Sequence, residues 1–179
     1  MPPEGIGAPR LLRAGIRPFA LFKALCFRST WQRRWLLCHA MVAVLLASIA
    51  TRCLHFSRVA RWLGTCGGET GDQSKSQSDR LATDIGWAVC AVAKRVPWEA
   101  KCLTQAIAAT LLNRLHGVSS TLYLGMIFSP AEVMQAHAWV RCGRRIITGS
   151  AGHHRFTVVG TFAQGLDRDR TCCTPTVSR

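Results

Sequence analysis

Acidic residues are scarce in this chain. Nine Asp and Glu stand against 23 Lys and Arg in 179 residues, for a formal charge of +14, and Glu4 is the only acid before Glu69. A balance this basic suits an acidic partner (nucleic acid, anionic lipid or an acidic peptide), although arginine spread over solvated faces gives the same total. Paired cysteines are also missing. The nine cysteines, at 26, 38, 53, 66, 90, 102, 142, 172 and 173, are odd in number and include no Cys-x-x-Cys. That disfavours a disulfide framework and points to a reducing, cytoplasmic setting. It also disfavours structural zinc, because the adjacent pairs Cys172-Cys173 and His153-His154 chelate poorly. No metal site is expected.

The longest apolar run, Leu36 to Ala50, sits between Arg33-Arg34 and Arg52. As a helix it measures about 22 Å, short of a hydrocarbon core of about 30 Å. It starts too far into the chain for an ordinary signal peptide. A buried helix is the favoured expectation, with membrane-surface contact through the flanking arginines left open.

Several segments have a clear character. Residues 1–10 read as a frayed arm, and Leu11 to Leu63 as basic and helical, giving an N-terminal region over 1–64. Residues 65–80, rich in Gly, Ser, Thr and Asp, read as a linker. A core over 81–163 follows, then a polar tail over 164–179 that reads as disordered. In the core, a helix is expected over Asp84 to Arg95 and a second from Pro97 to Leu115, closed by Gly117. The second carries an apolar stripe of Leu103, Ile107, Leu111 and Leu115, widened by Ala108 and Leu112. Alternation then predicts strands over Thr121 to Phe128 and Gln135 to Cys142, a tight turn at Gly143-Arg144, and strands over Arg145 to Thr148 and Phe156 to Phe162. Helices followed by an antiparallel meander make the class α+β.

Two residues carry candidate chemistry. Cys102 lies near a helix start, beside the apolar stripe and next to Lys101, where N-terminal N–H groups and a cation favour a thiolate. The plain alternative is a small buried cysteine. His137 shares a strand face with Trp139, opposite the small Ala136 and Ala138. Its plain alternative is a half-exposed histidine on an edge strand. Trp98 and Trp139, each near one member of the pair, are candidate walls of a peptide groove or ordinary packing residues.

Together, Val96-Pro97-Trp98, Lys101-Cys102-Leu103, Leu111-Leu112, Gly117-Val118, Leu124-Gly125 and Ala136-His137-Ala138-Trp139-Val140 resemble the transglutaminase-like proteins of lasso-peptide maturation, the microcin-processing C-terminal domain family. The upstream Val59-Ala60-Arg61-Trp62-Leu63-Gly64 fits as well, so the resemblance covers roughly residues 15–163. It implies a papain-like fold, with the cysteine-bearing helix packed on a small antiparallel sheet behind an N-terminal helical extension. It also implies a cysteine peptidase that removes the leader from a ribosomally made precursor. Cys102 would be the nucleophile, His137 the base, and the Cys102 N–H a donor to the oxyanion.

The family often places an Asp about a dozen residues after the histidine. Here Ile146 to Gly152 contains no acid, and the first one after His137 is Asp167. Ser150, or a backbone carbonyl, is left to orient the imidazole, which makes a Cys–His dyad the expectation. The implied partners are the precursor peptide, a separate leader-recognition protein and a lasso cyclase. No cofactor and no nucleic acid are expected, and an ATP requirement stays open. The rival expectations are a non-catalytic scaffold for precursor and cyclase, or a basic helical protein that binds membrane surfaces or nucleic acid.

Overall fold

The structure, a computed structural model, describes residues 31–71, 76–128 and 134–165. Five strands and four helices account for most of them. Helix α1 runs Trp31–Cys53 and α2 Phe56–Leu63. Strand β1 is Thr65–Cys66, α3 Ser76–Ala93 and α4 Cys102–Leu115. Strands β2, β3, β4 and β5 follow as Ser120–Phe128, Met134–Cys142, Arg145–Thr148 and Thr157–Gln164, with a 3₁₀ turn His153–Arg155 ahead of the last. Helices packed on one antiparallel sheet make the α+β class plain. The frayed arm over 1–10 and most of the tail lie outside the described residues.

The sheet order is β1-β5-β2-β3-β4, antiparallel throughout. β2, β3 and β4 form the expected meander, joined after β3 by a turn whose Gly143 has a positive φ. β5 departs from it. Instead of continuing past β4, it returns to the other side of β2 and takes up β1 on its far edge. Residues 65–80, read as a linker from their composition, therefore contain β1 and the first turn of α3.

Leu122, Ala138, Val140, Cys142 and Phe162 line the sheet face that packs on the helices. They join Leu37, Val44, Val59, Ile85, Val89, Val92, Ile107 and Leu112 in one core. The basic N-terminal helices thus share a core with the cysteine helix.

Helix α4 corrects two expectations. It begins at Cys102, not Pro97; residues 96–98 form a bend, and proline there turns the chain instead of opening a helix. Its buried side is only part of the expected stripe: Ile107, Ala108 and Leu112 are buried and Leu103 packs against the core. Thr104, Ala106, Ala108, Ala109, Thr110 and Asn113 are buried, whereas Leu111 is 42% and Leu115 68% exposed. Small side chains let α1, α3 and the sheet approach the helix from several sides, so it is covered nearly all round, and period alone does not identify the outward face. Gly117, with φ +66°, ends it as expected.

Candidate functional site

Cys102 is the first residue of α4. Lys101 precedes it in extended conformation and supplies no side-chain cap, so its side chain leaves the first N–H groups of the helix uncapped. The turn is anchored elsewhere: Gln105 Nε2 donates to Ala100 O at 2.8 Å, and Gln105 N to Lys101 O at 3.0 Å. Lys101, the cation expected beside the thiol, has its Nζ 3.4 Å from Glu99 Oε2, with both side chains largely exposed. Cys102 itself is half-buried.

The other described cysteines differ in setting. Cys142 is buried, and desolvation pushes its thiol up to about 12, against the lowering effect of the Asn113 hydrogen bond. Burial also raises Cys90, whose Sγ lies 3.8 Å from Gln105 Oε1. Cys38 and Cys53 are exposed on α1. Among the described residues no group of three or more His, Cys, Asp or Glu comes together as a metal site would require.

His137 lies on β3, opposite Gly125 of β2. By strand alternation it shares with Trp139 and Arg141 the sheet face turned away from the Ala138–Val140–Cys142 core. On that face, Trp139 stacks on Tyr123 with planes 3° apart and centroids at 5.5 Å. His137 lies 6.0 Å from Trp139 and 5.0 Å from Phe156. A Cβ on Gly125 would meet Phe156 Cβ at 2.7 Å and the Trp139 ring at 2.8 Å, so glycine there makes room for both rings. Arg141 closes the far end. Its Nε donates to Tyr123 Oη at 2.8 Å, and its Nη2 to Thr70 O at 3.1 Å and Glu69 Oε2 at 3.3 Å.

The imidazole has a definite anchor. His137 Nε2 lies 2.8 Å from Gly149 O. A carbonyl only accepts, so Nε2 carries the proton and the neutral ring keeps its lone pair on Nδ1. Gly149 stands twelve residues after His137, at the distance where the family resemblance places an acid. Ser150, the side chain suggested for this task, does not take it. Ser150 is exposed, and its own carbonyl lies 2.7 Å from His153 Nδ1. Gly149 has φ +69°, and a Cβ there would sit 2.4 Å from Ala138 O. The contact that orients His137 is therefore made by backbone, with glycine as the only residue that fits.

Of the four main candidates, the structure groups His137 with Trp139. Trp98 belongs to the helical layer: its Nε1 donates to Ser48 Oγ of α1 at 2.9 Å. It shares no wall with Trp139. Cys102 Sγ and His137 make no hydrogen bond to each other among the described residues. Asn113 Nδ2 donates to Cys142 Sγ at 3.3 Å where α4 packs on the core face of β3, and His137 stands on the other face of that strand.

Tyr123, Phe156 and Arg141 were absent from the sequence-based site, and an orienting backbone carbonyl was expected there without the residue that supplies it. Only Gly149 left a signal, as a glycine in the turn a dozen residues after the histidine. No curated protein and no solved structure matches the chain. A family model described as the transglutaminase-like superfamily does match, over residues 43–161. That superfamily generally includes cysteine-dependent enzymes, and its match runs from within α1 to within β5, spanning both Cys102 and His137. With well over half of its length matched, the chain belongs to the transglutaminase-like superfamily.

Proposed function

We propose that the chain is a cysteine peptidase that removes the leader from a ribosomally made precursor peptide of the lasso type. Cys102 would serve as nucleophile and His137 as base. The observation that supports this most is the state of His137 within a transglutaminase-like domain: Nε2 is held by Gly149 O, which leaves Nδ1 as the basic atom. In this reaction Nδ1 takes the Cys102 thiol proton, and the thiolate attacks the scissile carbonyl carbon. The Cys102 N–H at the start of α4 donates to the oxyanion. The imidazolium returns its proton to the departing amine, and water then releases the acyl group from sulfur. Transfer of the thiol proton needs thiol and imidazole within hydrogen-bond reach, whereas His137 stands on the sheet face turned away from α4. A leader-recognition protein delivers the precursor and a cyclase takes the freed amine.

A second possibility is a non-catalytic scaffold that binds precursor and cyclase. It is favoured by the missing Cys102–His137 hydrogen bond and by the lack of an acid between His137 and Asp167. One experiment separates the two: the full chain is incubated with a synthetic precursor and its leader-recognition partner, and products are read by mass spectrometry. Cys102→Ala and His137→Ala should each lower cleavage by about 10³-fold or more while leaving precursor binding unchanged. Cleavage that survives Cys102→Ala would overturn the nucleophile. Binding without any cleavage by the unaltered chain would establish the scaffold.

A further inference from the structure

Helix α1 buries one side and leaves the other uncovered. Leu36, Leu37, Ala40, Ala43, Val44 and Ala47 are in the core. On the opposite side Trp31, Trp35, Val42, Leu45, Leu46 and Ile49 fall on one stripe at helical spacing and are exposed, Trp31 to 70%, Val42 to 55% and Ile49 to 50%. The stripe is about 27 Å long at the rise of a helix. Leu111 and Leu115, the residues of α4 that turned out to face outward, stand beside it. Between the two helices runs a groove of about 580 Å³, lined by Val42, Leu46, Leu111 and Leu115 with His39 and Arg114 at its sides. A contiguous apolar surface of this kind on a soluble face marks an interaction site.

Charge selects the occupant. Neither α1 nor α2 contains an acidic residue. Arg52 is exposed at the C-terminal end of the stripe, and Arg58 and Arg61 are exposed on α2. Arg114 Nη1 reaches Trp62 O at 3.4 Å, which brings the end of α2, with its exposed Trp62, to the edge of the same surface. Apolar side chains bordered by tryptophans and arginines have the composition of a helix seated at the boundary between acyl chains and anionic headgroups.

We propose that this face docks the protein onto an anionic membrane surface, with α1 lying in the plane of the headgroups. Helix α1 is long and apolar enough to cross a bilayer by length and composition. Crossing would strip its buried side from α3 and α4, whereas lying flat keeps the domain folded. Residues lining the groove take no part in the proposed peptidase chemistry, so docking adds a location to that activity and does not depend on it.

The test is co-flotation of the full chain with vesicles of phosphatidylcholine alone and of phosphatidylcholine mixed with phosphatidylglycerol. The chain should float with the anionic vesicles, with tryptophan emission shifted to the blue, and should stay behind with the neutral ones. Leu46→Glu and Leu115→Glu, both at exposed positions, should each weaken the partition about ten-fold or more. Arg52→Gln should weaken it about five-fold. Circular dichroism of each variant should match the unaltered chain. Failure of the folded chain to float with anionic vesicles would overturn the proposal, as would flotation unaffected by Leu46→Glu. An oligomer of the unaltered chain that Leu46→Glu dissociates, with no flotation, would assign the face to a second copy instead.

Discussion

Gly149→Ala isolates the backbone contact that orients His137. Two costs are expected. A non-glycine residue at φ +69° is destabilised by about 1–2 kcal/mol through its left-handed backbone alone. The added Cβ would lie 2.4 Å from Ala138 O and 3.0 Å from the Trp139 backbone, well inside normal contact. Relieving that overlap costs about 1–3 kcal/mol more. Gly152 provides the control. It has φ +70°, and its nearest neighbour to a new Cβ is the flexible Arg155 side chain at 4.0 Å, so Gly152→Ala carries only the first cost. Urea unfolding followed by tryptophan fluorescence should show Gly149→Ala about 1–3 kcal/mol less stable than Gly152→Ala, with the midpoint shifted and the slope unchanged. Nitrogen chemical shifts of the His137 ring report the second consequence. The Nε2–H form should dominate in the unaltered chain and in Gly152→Ala, and give way to mixed tautomers in Gly149→Ala. Equal stabilities within about 0.5 kcal/mol, or an unchanged ring in Gly149→Ala, would refute the account of this contact.

Cys142 gives the fold an alkaline limit. Its thiol is pushed up to about 12 from 9.0 in the unfolded chain, so above pH 9 the unfolded state binds fewer protons than the folded one. This contribution is full below pH 9 and is lost as pH rises through 12, at about 1.4 kcal/mol per pH unit between them. Cys142→Ala should remove that slope, as denaturant midpoints measured between pH 8 and pH 11 would show. Leu37→Ala should cost about 2–5 kcal/mol because the side chain is fully buried. Leu111→Ala, on the same kind of leucine pattern but exposed, should stay within about 0.5 kcal/mol in the same assay.

How far the sequence reveals the fold depends on the range of the interactions involved. The strands were legible because Leu122, Leu124 and Val140 alternate with polar or facing residues, a period that backbone geometry imposes locally. The hairpin turn was legible in Gly143. The place of β5 between β1 and β2 was not, since pairing between Cys66 and Phe162 depends on closure of a long loop and leaves no local trace. The face of α4 was legible at Ile107 and Leu112 but not at Leu111 and Leu115, for a related reason. Leucine spacing reports a buried side only where one neighbour covers the helix, and Ala106, Ala108 and Ala109 admit several. At the site, residue identity pointed to Cys102 and His137, but the atom that holds the imidazole is a carbonyl, which every residue possesses. Only the positive φ of Gly149 singles it out.

The short first strand has a consequence for how the protein behaves at high concentration. β1 pairs only Thr65 and Cys66 with β5, at Ala163 and Phe162, so among the described residues β5 has no strand on its outer side from Thr157 to Gly160. Val158 and Val159 are both exposed there, with no charge and no proline between Phe156 and Gln164 to discourage another chain from joining. Unblunted strand edges of this kind are where misassembly begins. A lysine in place of Val159 would act as a gatekeeper, keeping the protein monodisperse without touching the core.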